Sequence, residues 1–239
     1  MDNQDIKKIN EEYKEKPVED LLKLVVDEFG DGLTFASSLG AEDQVITALL
    51  SKIQGNPDVF VLDTGRLNQE TYDVIQKTEA RYGIKYRIFF PDATAVEEMV
   101  NEKGPNLFYE SVENRKRCCH IRKVAPLKRA LSGYHAWMTG IRRAQSMARQ
   151  SVQLIEWDET HEMIKINPLV AWTRRDVWDL IKKEQIPYNA LHDLGYASIG
   201  CAPCTRAIKT GEDERAGRWW WEDETQKECG LHVAEEKEN

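Results

Sequence analysis

Short apolar runs rich in β-branched and aromatic residues alternate with longer amphipathic stretches through the first 185 residues of this chain. The apolar runs predict strands at LTFAS (33–37), DVFVLD (58–63), KYRIFF (85–90) and YHAWMT (134–139), with shorter strands at 154–155 and 163–166. The amphipathic stretches predict one or two helices over 5–28 with Pro17 as the break, a helix that starts after Gly40, a helix at 68–82, and a helix that follows Pro91 and ends at about residue 101. Two more are predicted, through most of 115–131 and at 173–185 with Thr173 as N-cap. This alternation predicts an α/β fold in which helices cover both faces of a parallel sheet.

Three loops follow predicted strands, and as a set they are rich in glycine, hydroxyl groups and arginine. They read SSLGAED, LDTGRLNQE and TGIRRAQSMARQ. Ligands of parallel α/β sheets bind outside the carboxyl ends of the strands. The coincidence of three such loops therefore predicts a ligand site at that edge of the sheet, which no single loop would establish.

Length and charge limit the possible classes. A chain of 239 residues fits one large α/β domain, or one domain with a small appendage. Its net charge of −8 argues against binding to bulk nucleic acid or to an anionic membrane, so an anionic ligand needs a local basic cluster. No apolar run has the length of a membrane span, and the charged beginning MDNQDIKKINEEYKEK is unlike a signal peptide. We therefore expect a cytoplasmic protein, in which cysteines stay reduced and serve metal binding or catalysis.

Four of the five cysteines form two pairs, Cys118–Cys119 and the CAPC sequence of Cys201 and Cys204. A CxxC sequence alone is compatible with a redox pair or half of a zinc site. Adjacent cysteines on a helix diverge by about 100° and are awkward ligands for one ion, but can reach different metals of a larger cluster. The spacing favours an iron–sulfur cluster over zinc. Arg122 and Lys123, one helical turn beyond the adjacent pair, would stabilise an anionic cluster, although ordinary surface charges explain them equally well.

Several motifs of this chain, taken together, match one known family. In order from about residue 33 to 232 they are SSLGAED, LDTGRLNQETY, CCHIRKVAPLKRAL, TGIRRAQS, CAPCTRA, GEDERAGRWWWE and KECGLH. The sequence resembles the assimilatory adenylyl-sulfate reductases, within the larger family of APS (adenosine 5'-phosphosulfate) and PAPS (phosphoadenylyl-sulfate) reductases. The resemblance implies reduction of APS to sulfite and AMP with thioredoxin or glutaredoxin as electron donor. It also implies an adenine-nucleotide α-hydrolase-like sheet, as in ATP pyrophosphatases, with a mobile C-terminal tail.

The resemblance further implies a [4Fe–4S] cluster on Cys118, Cys119, Cys201 and Cys204, and we expect a homo-oligomer. The predicted division places a nucleotide-binding reductase domain, which includes the iron–sulfur site, at 1–210. An arginine- and tryptophan-rich segment that ends in a flexible catalytic tail follows at 211–239.

One position departs from the APS-specific pattern. Several such relatives have a serine directly before the glycine of the first loop, whereas this chain has Leu39, which is nearer to the SSxG of PAPS reductases. A PAPS-preferring or dual-substrate reductase is therefore the alternative. An ATP pyrophosphatase-like thiolating or adenylating enzyme is disfavoured because its usual SGGxDS loop is missing, and a zinc-binding nucleic-acid module is disfavoured by the acidic charge.

Sulfonate transfer needs a thiolate that afterwards becomes accessible to a reductant. Cys229, in the tail KECGLHVAEEKEN, suits this role, and we expect it to be the nucleophile that forms S-sulfocysteine, with His232 close by in sequence. An inert tail thiol is the plain alternative, because reactivity needs an electropositive setting. Arg215 and Arg218, spaced i, i+3, are expected to clamp phosphate or sulfate oxygens, and Lys123 is expected to face both the cluster and the sulfate.

The remaining site residues are expected to bind the nucleotide. Ser37, Ser38 and Gly40 should cradle the phosphate through backbone N–H groups and a helix N-terminus. The resemblance places Leu62, Asp63, Thr64, Arg66, Gly140 and Arg149 beside the adenosine. The tryptophans at 219–221 are more consistent with packing than with stacking on the base. No role is assigned to His120, His135, His161 or His192.

Overall fold

The computed structural model describes residues 1–223 of the chain. Its helices are α1 (Asn3–Tyr13), α2 (Val18–Phe29), α3 (Ala41–Ile53), α4 (Gln69–Tyr82), α5 (Ala93–Lys103), α6 (Val112–Cys119), α7 (Ala125–Ala130) and α8 (Arg174–Glu184). Its strands are β1 (Leu33–Ser37), β2 (Val59–Leu62), β3 (Tyr86–Phe89), β4 (Ala136–Met138), β5 (Ile155–Asp158) and β6 (Met163–Ile166). Each predicted helix and strand is confirmed, with ends that shift by a few residues.

The local signals in the sequence account for several of these boundaries. Pro17 lies at the N-cap of α2 and separates it from α1. Thr173 caps α8 by accepting a hydrogen bond from the Asp176 backbone N–H while the Asp176 carboxylate accepts one from the Thr173 backbone N–H. Gly83 ends α4 in the left-handed conformation, with φ of 67°, which glycine adopts at little cost.

The six strands form one sheet in the order β3-β2-β1-β4-β6-β5. All neighbouring pairs are parallel except β5 and β6, which pair antiparallel from Ile155 opposite Ile166 to Asp158 opposite Met163. The predicted parallel sheet is therefore confirmed, with one antiparallel strand, β5, added at its edge. The physical reason is the short connection between β5 and β6, which suffices for a hairpin but is too short for a parallel crossover.

Alternate side chains along the strands pack into two apolar layers, one on each face of the sheet. Val59 and Val61 of β2 lie in the main core with α2, α3 and α8, whereas Phe60 faces the other side and packs with Leu127 of α7 and Trp137 of β4. Helices thus cover both faces of the sheet, as predicted. The strand order reverses direction between β1 and β4, and this switch point is where such sheets open a crevice for ligands.

None of the helices within residues 1–223 has both the length and the apolar composition that crossing a membrane requires.

Candidate functional site

A cleft of about 1380 Å³, including its mouth, lies at the carboxyl ends of β1, β2 and β4. It brings together residues from all three predicted ligand loops and from the segment after residue 210. The predicted site residues that line it are Ser37, Ser38, Gly40, Leu62, Thr64, Lys123, Gly140, Arg149, Arg215 and Arg218. The topology of the sheet explains this convergence, because the loops leave neighbouring parallel strands at the same edge.

The first loop connects β1 to α3 and is closed by hydrogen bonds of its own. The Ser38 backbone N–H and hydroxyl both donate to Asp43 Oδ2, each at 2.6 Å, and the Leu39 backbone N–H donates to Ser37 Oγ at 3.1 Å. Leu39 is buried and has a φ of 63°, an uncommon conformation for a residue with a branched side chain. Two backbone donors of the predicted phosphate cradle therefore already have partners.

The second loop follows β2 and faces away from the cleft at two of its predicted positions. Asp63 is buried, and its Oδ1 accepts from the Gly65 N–H at 2.8 Å and from the Tyr72 hydroxyl at 3.1 Å. Arg66 donates to the Pro105 carbonyl and to Asn106 Oδ1, and it lines a second, smaller cavity. The contact of Asp63 and Arg66 with adenosine stays a prediction, and neither side chain lines the cleft.

The third loop follows β4 and touches the first loop closely. A Cβ atom added to Gly140 would lie 2.0 Å from Asp43 Oδ1, so this position requires glycine. Arg149 is buried, and its Nη1 donates to Gln145 Oε1 at 2.5 Å. Gln145 Oε1 also accepts from the Arg142 backbone N–H, which fixes the loop around Arg149.

An ion-pair network that the sequence analysis missed joins three segments at the cleft. Arg142 is 1% exposed, and it donates to Glu42 Oε1 at 2.7 Å and to Glu214 Oε1 at 2.6 Å. Glu42 belongs to the first turn of α3, and Glu214 precedes the predicted sulfate ligand Arg215. Burial raises the pKa of Glu214, and the Arg142 guanidinium counteracts this rise. A buried cation shared by two carboxylates satisfies all three groups and anchors the segment around Arg215 to the sheet.

The smaller cavity, of about 370 Å³ including its opening, is lined by all four paired cysteines. Among residues 1–223, Cys118, Cys119, Cys201 and Cys204 are free thiols with no disulfide between them. Within residues 1–223, no three His, Cys, Asp or Glu side chains converge closely enough to hold one metal ion. Burial raises the pKa of Cys118, and it raises the pKa of Cys204 to about 12. These thiols would be protonated in the bare protein and would need bound metal to become thiolates.

The helix changes type directly after the adjacent cysteines. Residues His120–Val124 form a π-helical turn, in which the Ala125 N–H donates to the His120 carbonyl. Pro126 follows and has no N–H to offer the Arg122 carbonyl, which explains why regular α-helical bonding fails here. Turns of this type occur frequently at functional sites.

Buried cations surround the cysteine cavity. Arg115 pairs with Glu222 at 2.8 Å, with side-chain exposures of only 1% and 3%. Arg122 is buried and donates from Nη1 to the Thr64 carbonyl at 2.7 Å, so the reading of Arg122 as an ordinary surface charge was wrong. Thr64 Oγ1 lies 3.2 Å from Cys201 Sγ and links this cavity to the loop after β2.

The two cavities share a wall made of Lys123, Cys201 and Trp219. The Trp219 ring contacts the guanidinium groups of both Arg115 and Arg218, with centroid distances of 4.8 and 4.7 Å. Trp219 is fully buried and has a φ of 40°, a strained conformation for a bulky residue. The sequence reading of this tryptophan as a packing residue is compatible with its burial.

The segment after residue 210 packs against the rest of the chain as far as it is described. Arg218 is buried and donates from Nη1 to the Ile199 carbonyl at 3.3 Å. Gly200 makes room for it, because a Cβ there would lie 2.3 Å from Arg218 Nη2. The predicted nucleophile Cys229 and its neighbour His232 lie outside the described residues. The predicted division at residue 210 stays a prediction.

Among the histidines, His192 also lines the cleft, and its Nδ1 lies 2.7 Å from the Tyr196 carbonyl. Burial lowers the pKa of His192 and so favours the neutral ring. The carboxylates Glu42, Asp43 and Glu214 were missed because acidic residues are unexpected in a site for an anion. The GAED sequence of the first loop was the available signal.

The family description "phosphoadenosine phosphosulfate reductase domain" matches residues 32–207, which include both cysteine pairs and all three loops. The chain belongs to this reductase family. A family relative from Burkholderia cepacia, named adenosine 5'-phosphosulfate reductase, is 53% identical over 216 residues, covering 90% of this chain and 86% of that protein.

Solved structures agree with this assignment. The phosphoadenylyl-sulfate reductase of Candida auris, in a phosphate complex, is 30% identical, with a TM-score of 0.75 over 87% of this chain and 98% of that chain. The FMN adenylyltransferase of Candida glabrata shares the fold alone, with 15% identity and a TM-score of 0.56 over 91% of this chain and 78% of that chain. The predicted adenine-nucleotide α-hydrolase-like fold of this reductase family member is confirmed.

Proposed function

We propose that this chain reduces adenosine 5'-phosphosulfate to sulfite and AMP, in assimilatory sulfate reduction and cysteine biosynthesis. One observation carries the proposal. A cleft lined by three strand-end loops shares a wall with a cavity lined by four cysteines, in a chain about half identical to a protein named adenosine 5'-phosphosulfate reductase.

The proposed chemistry is a sulfonate transfer followed by a thiol exchange. The Cys229 thiolate attacks the sulfate sulfur, the bond from sulfur to the phosphate oxygen breaks, and AMP leaves with that electron pair. The enzyme then carries S-sulfocysteine. A dithiol reductant attacks Cys229 Sγ, sulfite departs, and oxidation of the dithiol to a disulfide supplies the two electrons. Thioredoxin or glutaredoxin is the proposed reductant.

The cleft offers groups for both ends of the substrate. Ser37, Ser38 and Gly40 are proposed to bind the phosphate, with Leu62, Thr64, Gly140 and Arg149 toward the adenosine. Arg215, Arg218 and Lys123 are proposed to bind the sulfate, supported by their position in the cleft. Arg218 is buried, and a buried cation stabilises charge that develops during the transfer more strongly than a solvated one would. His232 is proposed to assist Cys229.

A [4Fe–4S] cluster fits the donor set better than one zinc ion. The four cysteines line one cavity without converging on a single point, and Arg115, Arg122 and Lys123 supply positive charge around it. Cys118, Cys119, Cys201 and Cys204 would hold the cluster. When bound, it supplies a fixed anionic core beside the sulfate-binding end of the cleft. Lys123 lines both cavities and holds its charge between the cluster site and the substrate.

The cytoplasm is the proposed location, since it keeps the catalytic and ligand thiols reduced. A homo-oligomer is the proposed assembly.

PAPS is the alternative substrate, alone or together with APS. Leu39 supports it, because the loop that contains this residue resembles the SSxG of PAPS reductases, and the Candida auris PAPS reductase shares the fold closely. Steady-state rates with the two nucleotides distinguish the readings. A much faster reduction of PAPS would reverse the order of the two candidates.

Intact-mass analysis after mixing with APS, without reductant, tests the proposed function. We expect one added sulfonate, located by peptide mapping on the peptide that contains Cys229. The variant Cys229→Ser should form no adduct while it keeps its iron and its affinity for AMP. An adduct on another cysteine, or turnover by this variant, would refute the assignment of the nucleophile.

A further inference from the structure

Asp43 occupies the donors of the loop that is proposed to bind phosphate. Its Oδ2 accepts from both the backbone N–H and the hydroxyl of Ser38, each at 2.6 Å, which are short distances typical of charge-assisted hydrogen bonds. Backbone N–H groups and hydroxyls in this position are the groups with which strand–helix loops hold phosphate oxygens. The carboxylate therefore takes the place that a ligand anion would take.

The surroundings of Asp43 leave its charge poorly compensated. The residue is 5% exposed and belongs to the lining of the cleft. Its Oδ1 faces Gly140 so closely that an added Cβ would lie 2.0 Å away. Arg142, the buried cation of the loop after β4, is paired with Glu42 and Glu214 instead.

The charged groups nearest to Asp43 are carboxylates, whereas the cations of the same cleft, Lys123, Arg149, Arg215 and Arg218, are not among the leading influences on its pKa. Glu42 lies beside it on α3, and Glu214 comes from the C-terminal segment. Tyr86 of β3 donates its hydroxyl to Gln44, and the uncharged form of His192 is favoured. Burial, with a smaller contribution from Glu42, raises the pKa of Asp43 to about 6, against the opposing effect of hydrogen bonds from Ser38 and from the Gly40 backbone.

We propose that Asp43 is an internal anion of the phosphate loop, and that nucleotide binding displaces it from Ser38 with uptake of one proton by the carboxylate. The proton comes from solvent and bonds to a carboxylate oxygen of Asp43. The N–H and hydroxyl of Ser38 then donate to phosphate oxygens. This inference rests on the proposed function, because it assumes that the nucleotide phosphate binds at this loop. Asp43 is a positioning residue, since it acts through Ser38.

The sign of the pH dependence follows from linkage. A phosphate near Asp43 disfavours the ionised carboxylate, so the pKa of Asp43 is higher in the complex than in the free protein. Binding therefore takes up a proton at pH values above the free-state pKa of about 6. Below that pH the carboxyl is already protonated, and the contribution of Asp43 to the pH dependence disappears.

Isothermal titration of the holoenzyme with AMP, in buffers of different ionisation enthalpy, counts the protons taken up. The unmodified protein should take up close to one more proton at pH 7.5 than Asp43→Asn. The AMP affinity of Asp43→Asn, divided by that of the unmodified protein, should rise by up to about tenfold per pH unit above pH 6. Comparison with this variant cancels the ionisation of AMP itself. Asp58→Asn is the matched control, because Asp58 accepts hydrogen bonds at the amino end of β2; its proton count should equal that of the unmodified protein.

Ser38→Ala provides a second route if Asp43→Asn folds poorly. Loss of the hydroxyl donor raises the pKa of Asp43, so proton uptake should begin at a higher pH than in the unmodified protein. Equal proton counts and parallel pH profiles for the unmodified protein, Asp43→Asn and Ser38→Ala, with AMP bound by all three, would overturn this inference alone. Failure of the unmodified protein to bind AMP at any pH would overturn the proposed function together with it.

Discussion

The cleft takes its lining from loops that leave the carboxyl ends of three parallel strands, whereas the cysteine cavity takes most of its lining from helix ends and turns outside the sheet. The position of the cleft follows from strand order. The cysteine cavity depends on side chains that pack from α5, from the turn between α5 and α6, from α6 and from the C-terminal segment, among them Met99, Phe108 and Trp219. The two regions touch, yet different interactions maintain them, so damage to one should spare the other.

The largest effect is expected for Cys204→Ser, which changes only the cysteine cavity. Bound iron and acid-labile sulfide should fall to a small fraction of their normal content, because one of four proposed ligands is lost. AMP affinity should stay within about twofold, because Cys204 does not line the cleft. Iron assays and AMP titration measure the two outcomes. Full iron content would remove Cys204 from the ligand set, and loss of AMP binding would show that the two regions are not independent.

A smaller effect is expected where the ion pair of Arg115 and Glu222 closes the cysteine cavity. Arg115→Met removes the cation that pairs with the buried Glu222 carboxylate, which should lower the free energy of unfolding by about 3–5 kcal/mol, and adding Glu222→Leu should recover most of the loss. Urea unfolding of the holoenzyme measures this.

Arg117→Ala is the matched control for this ion pair, because Arg117 lies on the same helix but its pair with Glu102 is exposed to solvent. Its urea midpoint should not change. An Arg115→Met variant that unfolds at the same urea concentration as Arg117→Ala would contradict the role of burial.

The smallest expected effect concerns the cleft alone. Gly140→Ala places a methyl group against Asp43 and should weaken AMP binding on the order of tenfold, with iron content unchanged. Gly55→Ala is the control, because a Cβ there has no atom within 4 Å, and it should bind AMP normally. An unchanged affinity in Gly140→Ala would mean that the first and third loops separate easily.

The sheet and the cleft were predictable from the sequence because both depend on local patterns. Runs such as LTFAS and DVFVLD have the composition of buried strands, and loops at the ends of parallel strands must meet. The antiparallel pairing of β5 with β6 was harder to predict from the sequence, because two short strands are compatible with more than one topology until their connection is known.

The electrostatics of the site could not be predicted, because they depend on contacts between distant residues. Arg142 and Glu214 are 72 residues apart in the chain, and Arg115 and Glu222 are 107 apart. No spacing rule connects such pairs. The hydrogen bond from Ser38 to Asp43 joins residues only five positions apart, but a motif of serine, glycine and acid does not show whether the acid points into its own loop.

The π-helical turn at His120–Val124 sets the rotational phase between the cysteine pair and everything that follows it. If the same residues were wound as regular α-helix, Cys118 and Cys119 would rotate by roughly 100° relative to Leu127, which is buried under the sheet, because a π turn rotates less per residue than an α-helix. The sulfur atoms would then face away from Cys201 and Cys204 although every ligand remained in the sequence. At this position the type of helix matters as much as the chemistry of the ligands.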